Sequence, residues 1–509
     1  MPLPTCANSR CRRYGDLDPF FARALVAGCG AGRNHTAPTQ GTDDARPCRG
    51  PGLAETGDTT IRRVTQYSPD RRAFPAGTRF ASRDAFGIDP AGDLANAEFF
   101  HRDKKLVYEA YKAVKSNGGA AGVDGQTIEQ FEADLKSNLY KIWNRMSSGT
   151  YFPPPVRAVS IPKKSGGQRI LGVPTVADRV AQMVVKQVME PILDPVFLAD
   201  SNGYRPSKSA LDAVGATRER CWKYDWVLEF DIKGLFDNIN HELLLRAIRK
   251  HVTCKWALLY IERWLKAPMV QEDGTTIERD RGTPQGGVVS PILANVFLHY
   301  AFDLWMARTH LDLPWCRYAD DGLVHCRNEQ EAQALKSELQ ARLAECHLEM
   351  HPTKTKIVYC KDKKRKGTHP NVKFDFLGYC FRPRLVRRFR DNTLFCGFNP
   401  AVSPSAMKTM RSTIRELNIR HQTQLSLEEI ARRLNPLLRG WIEYYGRYAP
   451  SALYPLLRSV NQTLVAWVMR KFKRFKGHKI QASQFLQRLA LERTALFVHW
   501  DIGMTGTFA

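Results

Sequence analysis

A chain of 509 residues is too long to close around a single core, so two or more domains are expected. Lysine and arginine outnumber aspartate and glutamate 76 to 51, a formal charge of +25 with a pI near 9.7, which lies outside the range of an ordinary metabolic enzyme and calls for a polyanionic partner. Nucleic acid and an anionic membrane surface are the two candidates, but runs such as "RVAQMVVKQVMEPIL" are cut by charge well before membrane-spanning length, so no transmembrane segment is expected.

Before Lys104 there is no lysine, and Arg, Ala, Gly, Pro and Thr dominate. Residues 1–95 therefore read as a disordered leader, a dispensable extension or mis-assigned start. A transit peptide is the alternative, but Asp16, Asp18, Asp43, Asp44, Glu55 and Asp58 are foreign to that class. The leader holds Cys6, Cys11, Cys29 and Cys48, for which zinc is the alternative to free thiols. The 12 cysteines form no C-x-x-C pair, as in a reduced cytosolic protein.

From about Phe99 helical and strand-like segments alternate. "FEADLKSNLYKIWNRM" has the periodicity of one helix, and "PVRAVSIPKKSGGQRILGVP" predicts two short strands around a Lys/Gly turn. An apolar helix, "VADRVAQMVVKQVMEPIL", follows. "WVLEFDIKG" alternates as a strand, with Val227, Glu229 and Asp231 on one side, which sets Asp231 on the solvent side of a strand end. "RGTPQGGVVSPILANVFL" places a Gly-rich turn, with Gln285 in it, ahead of an apolar helix; Gly286 and Gly287 permit close backbone approach to a ligand.

"WCRYADDGLVHC" predicts a hairpin turning at Asp320-Asp321-Gly322, with the acids at its tip. Two adjacent carboxylates in an apolar run need charge compensation, and with Asp231 they make a hard-oxygen set suited to Mg²⁺ and not to zinc. Two such ions serve phosphoryl transfer. After about residue 400 the pattern turns helical: in "LSLEEI", Ser426 is an N-cap, Glu429 completes a capping box, and Leu425 with Ile430 forms a hydrophobic staple. Residues 401–509 carry 17 Lys or Arg against 6 acids, interleaved with aromatics in "GWIEYYGRY" and "KFKRFKGHK", as on a nucleic-acid surface.

"FDIKGLFDNI", "GTPQGGVVSPILANVFL", "RYADDGLV" and "FDFLGY" stand in the order and spacing of reverse transcriptases encoded by group II introns, and the chain resembles that family. Upstream, "GGAAGVDGQTIEQF", "VRAVSIPKKSGGQRILGVPTVADRVAQ" and "NGYRPSKSALDAV" resemble its opening blocks, and "NPLLRGWIEYYGRY" resembles its maturase, or thumb, region. The resemblance covers about residues 100 to 500 and lacks the family's Cys/His-paired HNH endonuclease. It implies an α+β right-hand polymerase, fingers and palm with an antiparallel catalytic hairpin, followed by an α-helical thumb. Its expected parts are an N-terminal extension at 96–155, fingers and palm at 156–398, thumb/maturase at 399–465 and a basic nucleic-acid-binding segment at 466–509.

The same resemblance implies roles. Asp231, Asp320 and Asp321 with the Ile232 carbonyl would hold two Mg²⁺ ions. Lys163 and Arg169 would hold the incoming triphosphate, Phe236 would exclude a ribose 2′-hydroxyl, and Gln285 would lie beside the nucleotide. Lys354 would protonate departing pyrophosphate, with Lys356 an equal candidate. Arg205 would contact template or shape the fingers, and Phe376, Leu377 and Gly378 would support the primer terminus. The implied activity is RNA-directed DNA synthesis, with binding of a group II intron RNA, assistance of its splicing and retromobility. Implied partners are that RNA, a DNA target or primer and dNTPs, in a bacterial cytoplasm at the nucleoid, with no membrane and with room for a homodimer. A splicing cofactor with an idle polymerase site and a domesticated defence-type reverse transcriptase are the alternatives.

Overall fold

The computed structural model describes residues 104–162, 167–387, 393–506 and 508. The leader, its four cysteines and Lys163 lie outside the described residues. In chain order the strands are β1 (Val156–Pro162), β2 (Gln168–Val173), β3 (Trp226–Asp231), β4 (Met269–Val270), β5 (Thr276–Ile277), β6 (Trp315–Tyr318), β7 (Asp321–Cys326), β8 (Lys356–Tyr359), β9 (Phe374–Phe376), β10 (Tyr379–Arg387) and β11 (Leu394–Val402). They form three sheets, ordered β2-β1-β4-β5, β6-β7-β3-β8 and β11-β10-β9. The chain divides into two compact units, one holding the residues up to Val196 with Ile239–Leu293, the other Phe197–Asn238 with Ala294–Ala509.

The first unit contains the sheet β2-β1-β4-β5, in which the two strands read around the Lys/Gly turn pair antiparallel, Ile161 opposite Arg169. Helix Val176–Leu193 has the bounds its apolar run predicts. It is buried nearly all round, and its buried polar residues Asp178, Arg179 and Gln182 are hydrogen-bonded. Thr175 caps it by accepting from the Asp178 amide. The single helix expected from "FEADLKSNLYKIWNRM" is two, Ile128–Ala133 and Leu135–Ser147. The break falls at Asp134, a weak helix former in a non-helical conformation, and Asn138 Nδ2 donates across it to the Phe131 carbonyl (3.0 Å).

In the second unit β3 is a central strand, antiparallel to both β7 and β8. Its alternation does not mark one wet face. Val227, Leu228 and Phe230 are buried and Asp231 is only 7% exposed, so the expected solvent side is covered. Helix Glu329–Glu345 packs on the strand, and Val227 shares a core with Ala210, Ala213 and Val214 of helix Ala210–Lys223. A strand covered on both faces hides its alternation's meaning.

The same core continues into the helical C-terminal part, where Tyr379 meets the rings of Tyr444, Tyr445 and Tyr448. Strand β11 runs to Val402, past residue 398, and the helices begin at Pro404 behind a Ser403 cap. Helix Leu427–Tyr445 carries the capping box read from "LSLEEI", with Ser426 and Glu429 bonded reciprocally and Leu425 and Ile430 both buried. Helix Tyr454–Lys471 runs unbroken across residue 465. No described helix is long and apolar enough to cross a membrane. All eight described cysteines are free thiols.

Candidate active site

Strands β6 and β7 form the hairpin expected at "RYADDG", displaced by one residue. Tyr318 pairs with Asp321, so the two turn residues are Ala319 and Asp320, and Asp321 is already in the strand. Ala319 takes a left-handed φ of 56°, the positive angle that tight hairpins need at their first turn position. Gly322 is not the turn residue; it lies opposite Phe230, whose ring would stand 2.1 Å from any Cβ added there.

Asp321 is the direct cross-strand partner of Asp231. Facing residues on antiparallel strands hold their Cβ atoms about 5 Å apart, where like charges repel. Burial first, then the charges of Asp320 and Asp231, push the Asp321 carboxyl well above the usual range. Lys354 Nζ donates to Asp231 Oδ2 at 2.6 Å. Three carboxylates on neighbouring residues of this hairpin and the facing strand make an oxygen donor set of the kind a divalent cation takes. Among the described residues no three His, Cys, Asp or Glu side chains lie close enough together to hold a metal ion as they stand. The donor chemistry and charge fit such an ion.

The turn is held from beneath by a residue the sequence reading missed. Arg317 is fully buried, donates twice to Asp303 (2.7 Å each), and reaches Ser201 Oγ (2.7 Å), Asn295 Oδ1 (3.1 Å) and the Ala319 carbonyl (3.1 Å). Asp303 closes a π-helical turn, His299–Asp303, that follows helix Ser290–Leu298. Gly203 completes the support: a Cβ there would lie 2.4 Å from the Ala319 amide nitrogen. An arginine inside the apolar run "WCRYA" was the available signal, since a buried charge needs a built partner.

The structure gathers several of the remaining expected residues around this pair. Ile232 extends β3 and bridges to Met350. Phe236 is half-buried and meets Tyr204, the neighbour of Gly203, edge-on at 6.4 Å. The two candidate lysines separate: Lys354 bonds Asp231, whereas Lys356 pairs in register with Glu229. Burial pushes the Glu229 carboxyl up to about 7, with Lys356 opposing the rise. Phe376 lines the same cleft as Asp231, Asp321 and Lys354. It pairs with Tyr379 across a two-residue turn in which Leu377 (φ 50°) and Gly378 (φ 78°) are both left-handed, the sign pattern of a type I′ hairpin. Tyr444 Oη donates to the Leu377 carbonyl and the Ser403 amide to that of Gly378, each at 2.9 Å.

Arg205 turns inward, donating to the carbonyls of Leu198 (2.8 Å) and Ser201 (3.0 Å) over the Phe197 ring, a geometry that favours shaping the loop over touching template. Arg169 and Gln285 belong to the first unit, where the Gly172 amide ties strand β2 to the Gln285 carbonyl (2.9 Å). Gly286, at φ 121°, passes so close that a Cβ would lie 2.7 Å from the Gly172 oxygen. Close approach there is intramolecular.

Residues 161–381 match the family described as reverse transcriptase (RNA-dependent DNA polymerase), and residues 407–485 match the group II intron, maturase-specific domain. The chain is 30% identical to Protein YkfC of Escherichia coli over 325 residues, 55% of this chain and 80% of that protein. It is 36% identical to the group II intron-encoded protein LtrA of Lactococcus lactis over 197 residues, 38% of this chain and 32% of LtrA, so the match spans about a third of that relative. Among solved structures, telomerase from Candida albicans aligns over 74% of this chain and 67% of its own at 13% identity, with a TM-score of 0.37. The two matched regions meet the same residues that build the carboxylate cleft and the helical C-terminal part, and the chain belongs to the reverse transcriptase family of the group II intron maturase type.

Proposed function

We propose that this reverse transcriptase extends a primer 3′-hydroxyl on an RNA template by two-metal nucleotidyl transfer, and that it binds a group II intron RNA and assists its splicing. The observation that carries the reading is the facing pair Asp231–Asp321 with Lys354 on Asp231. Asp231, Asp320 and Asp321, with the Ile232 carbonyl, would hold two Mg²⁺ ions, which supply Lewis acidity to the attacking and leaving oxygens. The Arg317 network fixes the turn that carries Asp320. Lys354 Nζ, which donates to Asp231 Oδ2, is placed to protonate departing pyrophosphate, with Lys356 lining the same cleft as the second candidate. Phe236, braced by Tyr204, would close the space beside the sugar to a 2′-hydroxyl, with Lys163, Arg169 and Gln285 on the nucleotide and Phe376, Leu377 and Gly378 under the primer end. DNA primers or targets and dNTPs are its partners, in a bacterial cytoplasm at the nucleoid, with retromobility the biological outcome.

Splicing of the cognate intron RNA with wild type beside Asp320→Ala separates the two halves of this reading. Splicing retained by the variant is expected, because the ribozyme supplies that chemistry. Splicing that needs Asp320, or an intron RNA that the protein does not bind, would overturn the maturase half.

A further inference from the structure

We propose that the loop Lys361–Lys366 is a second nucleic-acid contact, a site for the phosphate backbone of folded RNA at the end of the catalytic sheet opposite the carboxylates. The register fixes its place. Strand β8 ends at Tyr359 opposite Trp226, the first residue of β3, and the Cys360 amide donates to the Asp225 carbonyl (2.8 Å). Asp231 lies at the other end of β3, about 17 Å away at ~3.4 Å per residue. Charges are screened over about 8 Å at physiological salt, so these lysines do not serve the incoming triphosphate.

The loop is built, not merely basic. Arg365 donates to the carbonyls of Cys221 (3.0 Å) and Tyr224 (2.6 Å) and to Asp362 Oδ2 (2.8 Å), and Asp362 Oδ1 in turn accepts from the amides of Lys364 (2.8 Å) and Arg365 (2.9 Å). The Lys363 amide donates to the Cys396 carbonyl of β11 (3.0 Å). The returning chain wedges His369 against Trp226 and Tyr359, with ring centroids 4.5 and 4.4 Å away. Arg365 and Asp362 thus neutralise each other inside the loop. Lys363, Lys364 and Lys366 are exposed and Lys361 half-buried, and among the described residues none of the four pairs with a carboxylate.

Four cations held on a braced backbone lose little freedom on binding. The stretch "KDKKRKG" offers no apolar side chain to enter a bilayer or to bury against a protein, so its partner is one recognised through charge alone, which is what a phosphodiester backbone presents. The site rests on the polymerase–maturase reading above, for which a long RNA must be held while its end is copied.

The test uses the full-length protein with Lys361→Gln, Lys363→Gln, Lys364→Gln and Lys366→Gln combined, beside the four corresponding Lys→Arg changes. The probe is a labelled stem–loop RNA without a primer, titrated over a range of KCl concentrations. Each phosphate contact contributes about 0.9 to the slope of log K against log salt, so the glutamine variant is expected to lose about 2–4 from that slope and the arginine variant to keep it. An unchanged slope in a glutamine variant that melts like wild type would overturn the site. So would wild-type binding to phosphatidylserine vesicles that the glutamine variant loses while its RNA affinity is unaltered. Extension of a short pre-annealed primer–template by wild type reads the parent proposal separately: its absence counts against the polymerase, whereas an unchanged slope with extension intact counts against this loop alone.

Discussion

At Arg317 a fully buried guanidinium answers Asp303 and also grips the Ala319 carbonyl, so one residue serves both folding and the turn that carries Asp320. Removing one partner of a buried ion pair costs about 3–5 kcal/mol, and Arg317→Met is expected to lower the unfolding free energy by that order in urea titrations. Arg317→Met with Asp303→Leu should regain most of the stability and little of the primer extension, since the turn carbonyl still lacks its donor. Full activity in the double variant would refute the positioning role. A second buried charge sets a pH response in the first unit. Asp178 accepts from Tyr151 Oη (2.9 Å), Gln182 Nε2 (2.9 Å) and Trp264 Nε1 (2.7 Å), yet burial raises its carboxyl to about 6. The folded state therefore holds this proton at pH values where the unfolded chain has released it. Stability from this group is full below pH ~4 and declines as pH rises through about 6, on the order of 1–3 kcal/mol, and Asp178→Asn should flatten that slope. The acids were readable in the sequence because carboxylates in apolar strands demand compensation. Arg317 obeys the same rule, but its side-chain partners Asp303, Asn295 and Ser201 lie 14, 22 and 116 residues upstream, beyond any local pattern.

Among elements, the hairpin β6–β7 shows how a correct type can hide a wrong register. "DDG" reads as a turn because glycine favours one, whereas Gly322 is a glycine for the sake of the Phe230 ring opposite it. Gly322→Ala should destabilise by about 1–3 kcal/mol through overpacking, measured by thermal melting, with a silent substitution contradicting the account. Gly203→Ala acts differently, because the added methyl pushes on the Ala319 amide and so on the turn that carries Asp320. A displacement of about 1 Å at such a site can cost on the order of 100-fold in rate, so single-turnover extension should fall far more than stability does. The helix Val176–Leu193 and the cap at Ser426 were readable from periodicity and side-chain chemistry alone. The burial of Asp231 was not, since the helices that cover β3 come from elsewhere in the chain.

Across the whole molecule, the +25 charge and the basic helical C-terminal part pointed to nucleic acid, and the matched reverse transcriptase and maturase regions agree with that partner class. What composition could not supply was the division of the chain, in which two separate stretches contribute to each compact unit, because the closing contacts are long-range. The measurement closest to the central claim is extension of a primer on an RNA template by purified protein in Mg²⁺, wild type beside Asp320→Ala with Asp321→Ala. Wild type is expected to extend the primer and the variant to lose more than about 1,000-fold, with RNA binding and melting temperature retained, because only the electrostatics of the reacting centre are removed. Comparable extension by both proteins, or none by a folded, RNA-binding wild type, would contradict the central claim.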